Sequence, residues 1–299
     1  METWIYFTLL AATMQAVRTA GQKQLSGKLN AMPTTAVRYV YALPFAWFYL
    51  WWLLDFRNVS VPNLNNDFLT YALTACVMQI IGTVCLVAAF RYKNFAVATS
   101  LAKTEAIQVA IVGALLFSAP LSVLGWFSVI VGVVGVFFVS KVKFSFRDVF
   151  AGSDAMTGLL LGLGAGLGLA ITTLLIRQSS LALNTDLMVS AAVTLVFMIT
   201  VQTLISVLYV YFQDKKQLSL MLKHWRLCLF VGVTSVLGSI GWFTGASFQT
   251  AAYVKALGQV EFFITLALTY RLFKEKITLI EYVGMFLIIL SVVILLLWA

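Results

Sequence analysis

Charge is scarce in this chain. Only 10% of its 299 residues are Asp, Glu, Lys or Arg while 62% are hydrophobic, against about 25% and about 45–50% in soluble globular proteins. A soluble enzyme is excluded, and so is a soluble nucleic-acid-binding module. Cysteine is nearly missing. Cys76, Cys85 and Cys228 fall in or beside apolar runs without metal-ligand spacing, so they read as small packing residues, and no disulfide is expected. The one histidine, His224, sits in a basic loop and reads as solvated or interfacial. Clustered acids that could hold Mg²⁺ on a diphosphate are absent, which argues against an intramembrane prenyltransferase. No loop reads as a channel selectivity filter. The expectation is a non-enzyme without metal or other cofactor.

What the chain has instead is hydrophobic length. Windows of about 19 residues mark ten spans: 4–22, 34–54, 68–90, 96–116, 121–140, 155–176, 187–212, 227–248, 251–272 and 279–298. Each is long enough to cross a bilayer as a helix, and little chain is left for anything but short loops. The start, Met1-Glu2-Thr3-Trp4, lacks a basic stretch, so the first run is expected to be a retained span and not a signal peptide.

The net charge of +9 is a topology signal. Loops on the side holding both termini carry only Arg57 and Arg177. The opposite loops carry Lys23, Lys28, Arg91, Lys93, Lys141, Lys143, Arg147, Lys215, Lys216, Lys223, Arg226, Arg271, Lys274 and Lys276. Short loops rich in Lys and Arg stay cytoplasmic, so both termini are expected on the non-cytoplasmic side. Anionic headgroups of membrane lipids suffice as partners of this basic surface, and no nucleic acid is implied.

The chain also repeats. A shift of 156 residues lays SLAKTEAIQVAIVGALLFSAPLS (Ser100 to Ser122) on ALGQVEFFITLALTYRLFKEKIT (Ala256 to Thr278), superposing Leu101 on Leu257, Glu105 on Glu261, Phe117 on Phe273 and Ser122 on Thr278. Gly82 meets Gly238 at the same shift. Two repeats are expected, 1–150 and 151–299. With five spans each, an odd number, the second must enter the membrane in the opposite sense. The expected fold is an all-α membrane protein of ten transmembrane helices in two inverted five-helix repeats.

Six ionisable residues fall inside the spans: Arg18, Arg38, Lys103, Glu105, Lys255 and Glu261. Each would cost about 2.5–3.5 kcal/mol at a lipid-exposed helix centre, so they should face a protein interior or a water-filled cavity and mark function. Internal ion pairs are the plainer alternative, as is snorkelling to the interface for Arg18 and Arg38. Lys103 and Glu105 are two residues apart and cannot share a helix face. Lys255 and Gln259 are four apart, close enough to hold one ligand. The six sum to a cationic excess, which favours anionic or zwitterionic solutes. A carboxyl group in a low-dielectric site can exchange a proton near neutrality, which makes Glu105 and Glu261 candidate coupling groups and the proton a candidate coupling ion. Gln108 and Trp242 join the candidate lining, followed by Gln15, Gln22, Tyr39 and Gln79. The run GLLLGLGAGLGLA (Gly158 to Ala170) has small residues spaced for close helix contact, and no strand precedes it as a phosphate loop would need.

Arg38 within TTAVRYVYALPF, the glutamates of LAKTEAI and LGQVEFF, and the closing segment YRLFKEKITLIEYVGMFLIILSVVILLL with Glu275 resemble the drug/metabolite transporter superfamily, EamA type. Members often carry a proline directly after the mid-helix glutamate, where this chain has Ala106 and Phe262, and Ala119 stands where the second half has Glu275. The resemblance implies a secondary transporter with alternating access around a central cavity. It would move amino acids, nucleotide-sugar-like compounds or other small metabolites, often outward. The leading expectation is a permease of the bacterial inner membrane, a monomer or a homodimer. A flippase for lipids or lipid-linked sugars would share the fold.

Overall fold

The computed structural model describes residues 2–92, 101–102, 104–118, 121–139, 153–264 and 279–298. Lys103, Lys93, Glu275, Ala119 and the basic residues at 141–147 and 271–276 lie outside them. The described chain is helical and contains no strand. That follows from its composition: in lipid every backbone polar group must be satisfied within the structure, and a helix does so inside one segment.

Twelve helices are described. The first half contributes α1 (Thr3–Ser26), α2 (Ala31–Val40), α3 (Leu43–Arg57), α4 (Asn66–Tyr92), α5 (Glu105–Leu116) and α6 (Val123–Val139). The second contributes α7 (Ser153–Ala182), α8 (Leu187–Gln213), α9 (Lys216–Lys223), α10 (Trp225–Phe248), α11 (Ala251–Gly258) and α12 (Leu279–Trp298). Among the described residues, α4, α7, α8 and α10 contain stretches long and apolar enough to cross a membrane. α5, α6 and α12 contain shorter apolar stretches. The short α9 falls in the basic loop around Lys215 to Lys223.

Local chemistry sets several ends. Asp186 caps α8, its Oδ1 accepting from the backbone N–H groups of Met188 (3.0 Å) and Val189 (3.1 Å). Asn58 closes α3 in the left-handed region at φ 52°. The expected span 34–54 is split into α2 and α3 because Pro44 has no N–H to give Val40 and its ring crowds that carbonyl.

Two further interruptions have no proline behind them. Near Glu105, Thr104 N donates to Leu101 O at 3.2 Å and Ile107 N to Thr104 O at 3.0 Å. Near Glu261, Gln259 N donates to Ala256 O, Val260 N to Leu257 O and Phe262 N to Gln259 O, at 3.0–3.2 Å. All of these bonds reach back three residues, the tighter 3₁₀ pattern. Each glutamate therefore sits at a helix interruption, although Ala106 and Phe262 stand where a bending proline would be.

The most extensive packing joins α4 to α7, α1 to α10 and α6 to α12. A shift of 156 residues carries α1 into α7 and α4 onto α10, so the first two pairings are the same pairing made twice. Glycine allows the approach. A Cβ on Gly168 of α7 would stand 2.9 Å from the Gly82 Cα of α4, and one on Gly82 would stand 3.0 Å from the Leu169 backbone nitrogen. The glycine run thus serves close packing, and Gly166 likewise admits the backbone of Ala102 and Glu105.

Candidate functional site

Enclosed by α1, α2, α4, α5, α7, α10 and α11 is a polar chamber. Gln15, Arg18 and Gln22 face it from α1 at spacing i, i+3, i+7, which places them on one side of the helix. α2 supplies Arg38, and α4 supplies Gln79 and Thr83 at spacing i, i+4. Glu105 enters from α5, Thr172 and Thr173 from α7, Ser239 and Trp242 from α10, and Lys255 from α11. Eleven of its sixteen lining side chains are polar or charged. The space open to water centres is about 40 Å³, room for about three waters at 10–15 Å³ each.

An ion pair crosses the chamber. Lys255 Nζ lies 2.7 Å from Glu105 Oε1, and Thr173 Oγ1 donates to the same carboxylate oxygen at 3.4 Å. The Lys255 ammonium stands 4.0 Å from the centre of the Trp242 ring, well within cation–π range. That ring is wedged against Gly258, where any Cβ would collide with it.

Gln15 ties this cluster to the second acid. Its Nε2 donates to Glu261 Oε2 at 2.9 Å. Its Oε1 accepts from Trp242 Nε1 at 2.8 Å and from Arg18 Nη2 at 3.3 Å. Arg38 Nη1 donates to Thr83 Oγ1 at 2.9 Å. Arg18 and Arg38 are 6% and 4% exposed, so neither snorkels to the surface.

The structure brings together Arg18, Arg38, Glu105, Trp242 and Lys255 in the chamber, with Glu261 joined to it through Gln15. Gln108 and Gln259 go elsewhere. Gln108 Nε2 donates to Thr104 Oγ1 (2.9 Å) and Leu163 O (3.4 Å). The Gln259 amide lies against Gly132 and does not line the chamber; α11 ends at Gly258, just before it. Lys103 lies outside the described residues. Gln15, Gln22 and Gln79 matter more than their polarity alone suggested. Thr83, Thr172, Thr173 and Ser239 are lining residues that sequence reasoning missed, and the signal was available: polar residues at helical spacing in otherwise apolar helices. Among the described residues no group of His, Cys, Asp and Glu could hold a metal ion.

Apolar membrane-length helices around a buried, charged chamber define an integral, multi-pass membrane protein with a polar interior. The chain belongs to the EamA-like transporter family, whose model matches residues 2–141 and again residues 156–297. No curated protein matches it in sequence. Among solved structures, 29 chains are similar; one, titled only as the crystal structure of a protein, is 12% identical over 98% of both chains with a TM-score of 0.73. At that identity the likeness concerns the fold. The family is one of membrane transporters of small solutes, not of enzymes.

Proposed function

We propose that this protein is a secondary transporter that carries a small zwitterionic or anionic metabolite, an amino acid foremost, outward across the bacterial inner membrane. It works by alternating access: two inverted repeats of five helices each, ten in all, rock about the chamber and open it to one face at a time. Glu105, Glu261, Lys255, Arg18, Arg38 and Trp242 line or steady the path, and the two glutamates are the candidate proton carriers.

The observation that carries the reading is the Lys255–Glu105 pair buried beside Arg18 and Arg38 in an otherwise apolar helical protein. Such groups are expensive in a membrane interior and are kept where a path or a relay needs them. The interrupted helices at Glu105 and Glu261 add support, since discontinuous helices at mid-membrane are where transporters of this general design place their sites. The small size of the chamber suits a closed intermediate that must widen to admit or release its solute. The charged and amide side chains in the lining favour a small hydrophilic solute over a lipid.

The test is counterflow of labelled amino acids in proteoliposomes. Wild-type protein is expected to accumulate label, and a Glu105→Gln, Glu261→Gln double variant to lose about a hundredfold in rate, the low end of what a positioned proton-transfer group contributes. A double variant with wild-type rates would remove both glutamates from the mechanism.

A further inference from the structure

The chamber holds hydrogen-bond donors that lack acceptors. One nitrogen of Arg18 is engaged by Gln15 and one of Arg38 by Thr83. Yet Arg18 Nε, Arg38 Nε and Gln22 Nε2 are sealed from solvent without a hydrogen-bond partner. The three residues are 6%, 4% and 1% exposed, and all three face the same cavity. A buried donor left without an acceptor is costly, so three around one cavity are an expensive arrangement unless something occupies it for part of the cycle.

Charge points the same way. Arg18 and Arg38 bring two guanidinium groups to the same cavity. Two guanidinium groups in one low-dielectric cavity repel each other, and the charged groups at the chamber, Arg18, Arg38 and Lys255 against Glu105 and Glu261, leave one positive charge over. Water could satisfy the donors. It carries no charge to balance the excess.

We propose that Arg18, Arg38 and Gln22 form an oxyanion subsite that takes the carboxylate or phosphate group of the transported solute. The inference rests on the transporter reading and deepens it, because it assigns the anionic end of the solute to named donors and excludes solutes that are only cationic. The chemistry fits. A guanidinium offers a planar fork of donors that matches two oxygens of a carboxylate or phosphate. Along α1, Gln22 lies seven residues beyond Gln15, about 10 Å at 1.5 Å per residue. The donors therefore extend along the chamber away from the Trp242–Lys255–Glu105 cluster, and a zwitterion could lie between them with its ammonium toward the carboxylate and the tryptophan face.

The experiment is thermal unfolding of the purified full-length protein in detergent, at constant ionic strength, with propionate, L-alanine, inorganic phosphate or ethylamine added at tens of millimolar. A ligand that binds the folded state raises the midpoint by mass action. At least one oxyanion is expected to raise it and ethylamine is not, and the shift should fall by more than half in Arg18→Gln and in Arg38→Gln. Response to phosphate alone assigns the group as phosphate; response to propionate or L-alanine assigns it as carboxylate. Should the arginine variants fail to fold, Gln22→Leu still decides. It removes an orphaned donor, so the ligand-free protein should melt at the same or a higher temperature while the oxyanion-induced rise shrinks. No shift with any oxyanion, an equal shift with ethylamine, or a shift unchanged in the variants overturns the subsite. Proteoliposomes separate the two readings: movement of an organic cation with indifference to oxyanions sinks the subsite and keeps the transporter, whereas oxyanion binding without movement of any solute does the reverse.

Discussion

Lys255 Nζ lies 2.7 Å from Glu105 Oε1, and the two residues belong to segments that the same family model matches separately, residues 156–297 and 2–141. This ion pair thus joins the two matched parts of the chain across the chamber, on interrupted helices. Removing one partner leaves a buried charge behind, a loss of about 3–5 kcal/mol. Lys255→Met and Glu105→Met are each expected to lower the unfolding temperature, and the double variant to recover most of the loss. Additive losses, with no recovery in the pair, would show that the two side chains do not depend on each other.

Trp242 has two separable tasks. Its Nε1–H donates to Gln15 at 2.8 Å and its ring lies under the Lys255 ammonium at 4.0 Å. Trp242→Phe keeps a ring and loses the donor, worth about 0.5–1.5 kcal/mol. Trp242→Ala loses both and also the packing of a buried ring against Gly258, about 3–5 kcal/mol in all. Unfolding midpoints should therefore fall in the order wild type, Phe, Ala; equal loss in the two variants would place all of the effect in the hydrogen bond.

The contact between α4 and α7 leaves no room at Gly168, where a Cβ would stand 2.9 Å from the Gly82 Cα and 3.0 Å from its nitrogen. Backbone cannot move aside as a side chain can. Gly168→Ala is expected to cost about 1–3 kcal/mol, whereas Gly164→Ala, with nothing within 4 Å of the added carbon, should be silent. Matching unfolding temperatures for the two variants would refute this account of the glycine run.

Orientation is open to direct measurement. The asymmetry of loop charges predicts both termini outside the cytoplasm, so a C-terminal alkaline phosphatase fusion should be active and a C-terminal green fluorescent protein fusion dark. The opposite pattern would invert the topology.

Sequence alone revealed much of this architecture and only part of its site. The helical, apolar character was legible because lipid demands apolar helices, and among the described residues four of the ten expected spans, those at α4, α7, α8 and α10, are long and apolar enough to cross a membrane; the break before α3 was legible because Pro44 marks it. The interruptions at Thr104 and at Gln259–Val260 were hidden, since no proline or glycine pair announces them. Charges in the spans stood out by their cost, and Arg18, Arg38, Glu105 and Lys255 do meet in one chamber. Hydroxyls did not stand out. Thr172 and Thr173 also donate to Gly168 O (2.7 Å) and Leu169 O (2.9 Å) of their own helix, so in sequence they look like ordinary packing residues. Gln259 misled for a related reason: its spacing from Lys255 presumes a continuous helix, and α11 stops between them.

The central claim is that the chamber around Glu105 opens in turn to both faces of the membrane. In a background with Cys76, Cys85 and Cys228 replaced by alanine, a Thr173→Cys variant in oriented vesicles can be challenged with a membrane-impermeant thiol reagent from each side. Labelling from either side is predicted, with none at a Leu160→Cys control on the exposed apolar face of the same helix. A folded Thr173→Cys variant that no reagent reaches from either side would contradict the account.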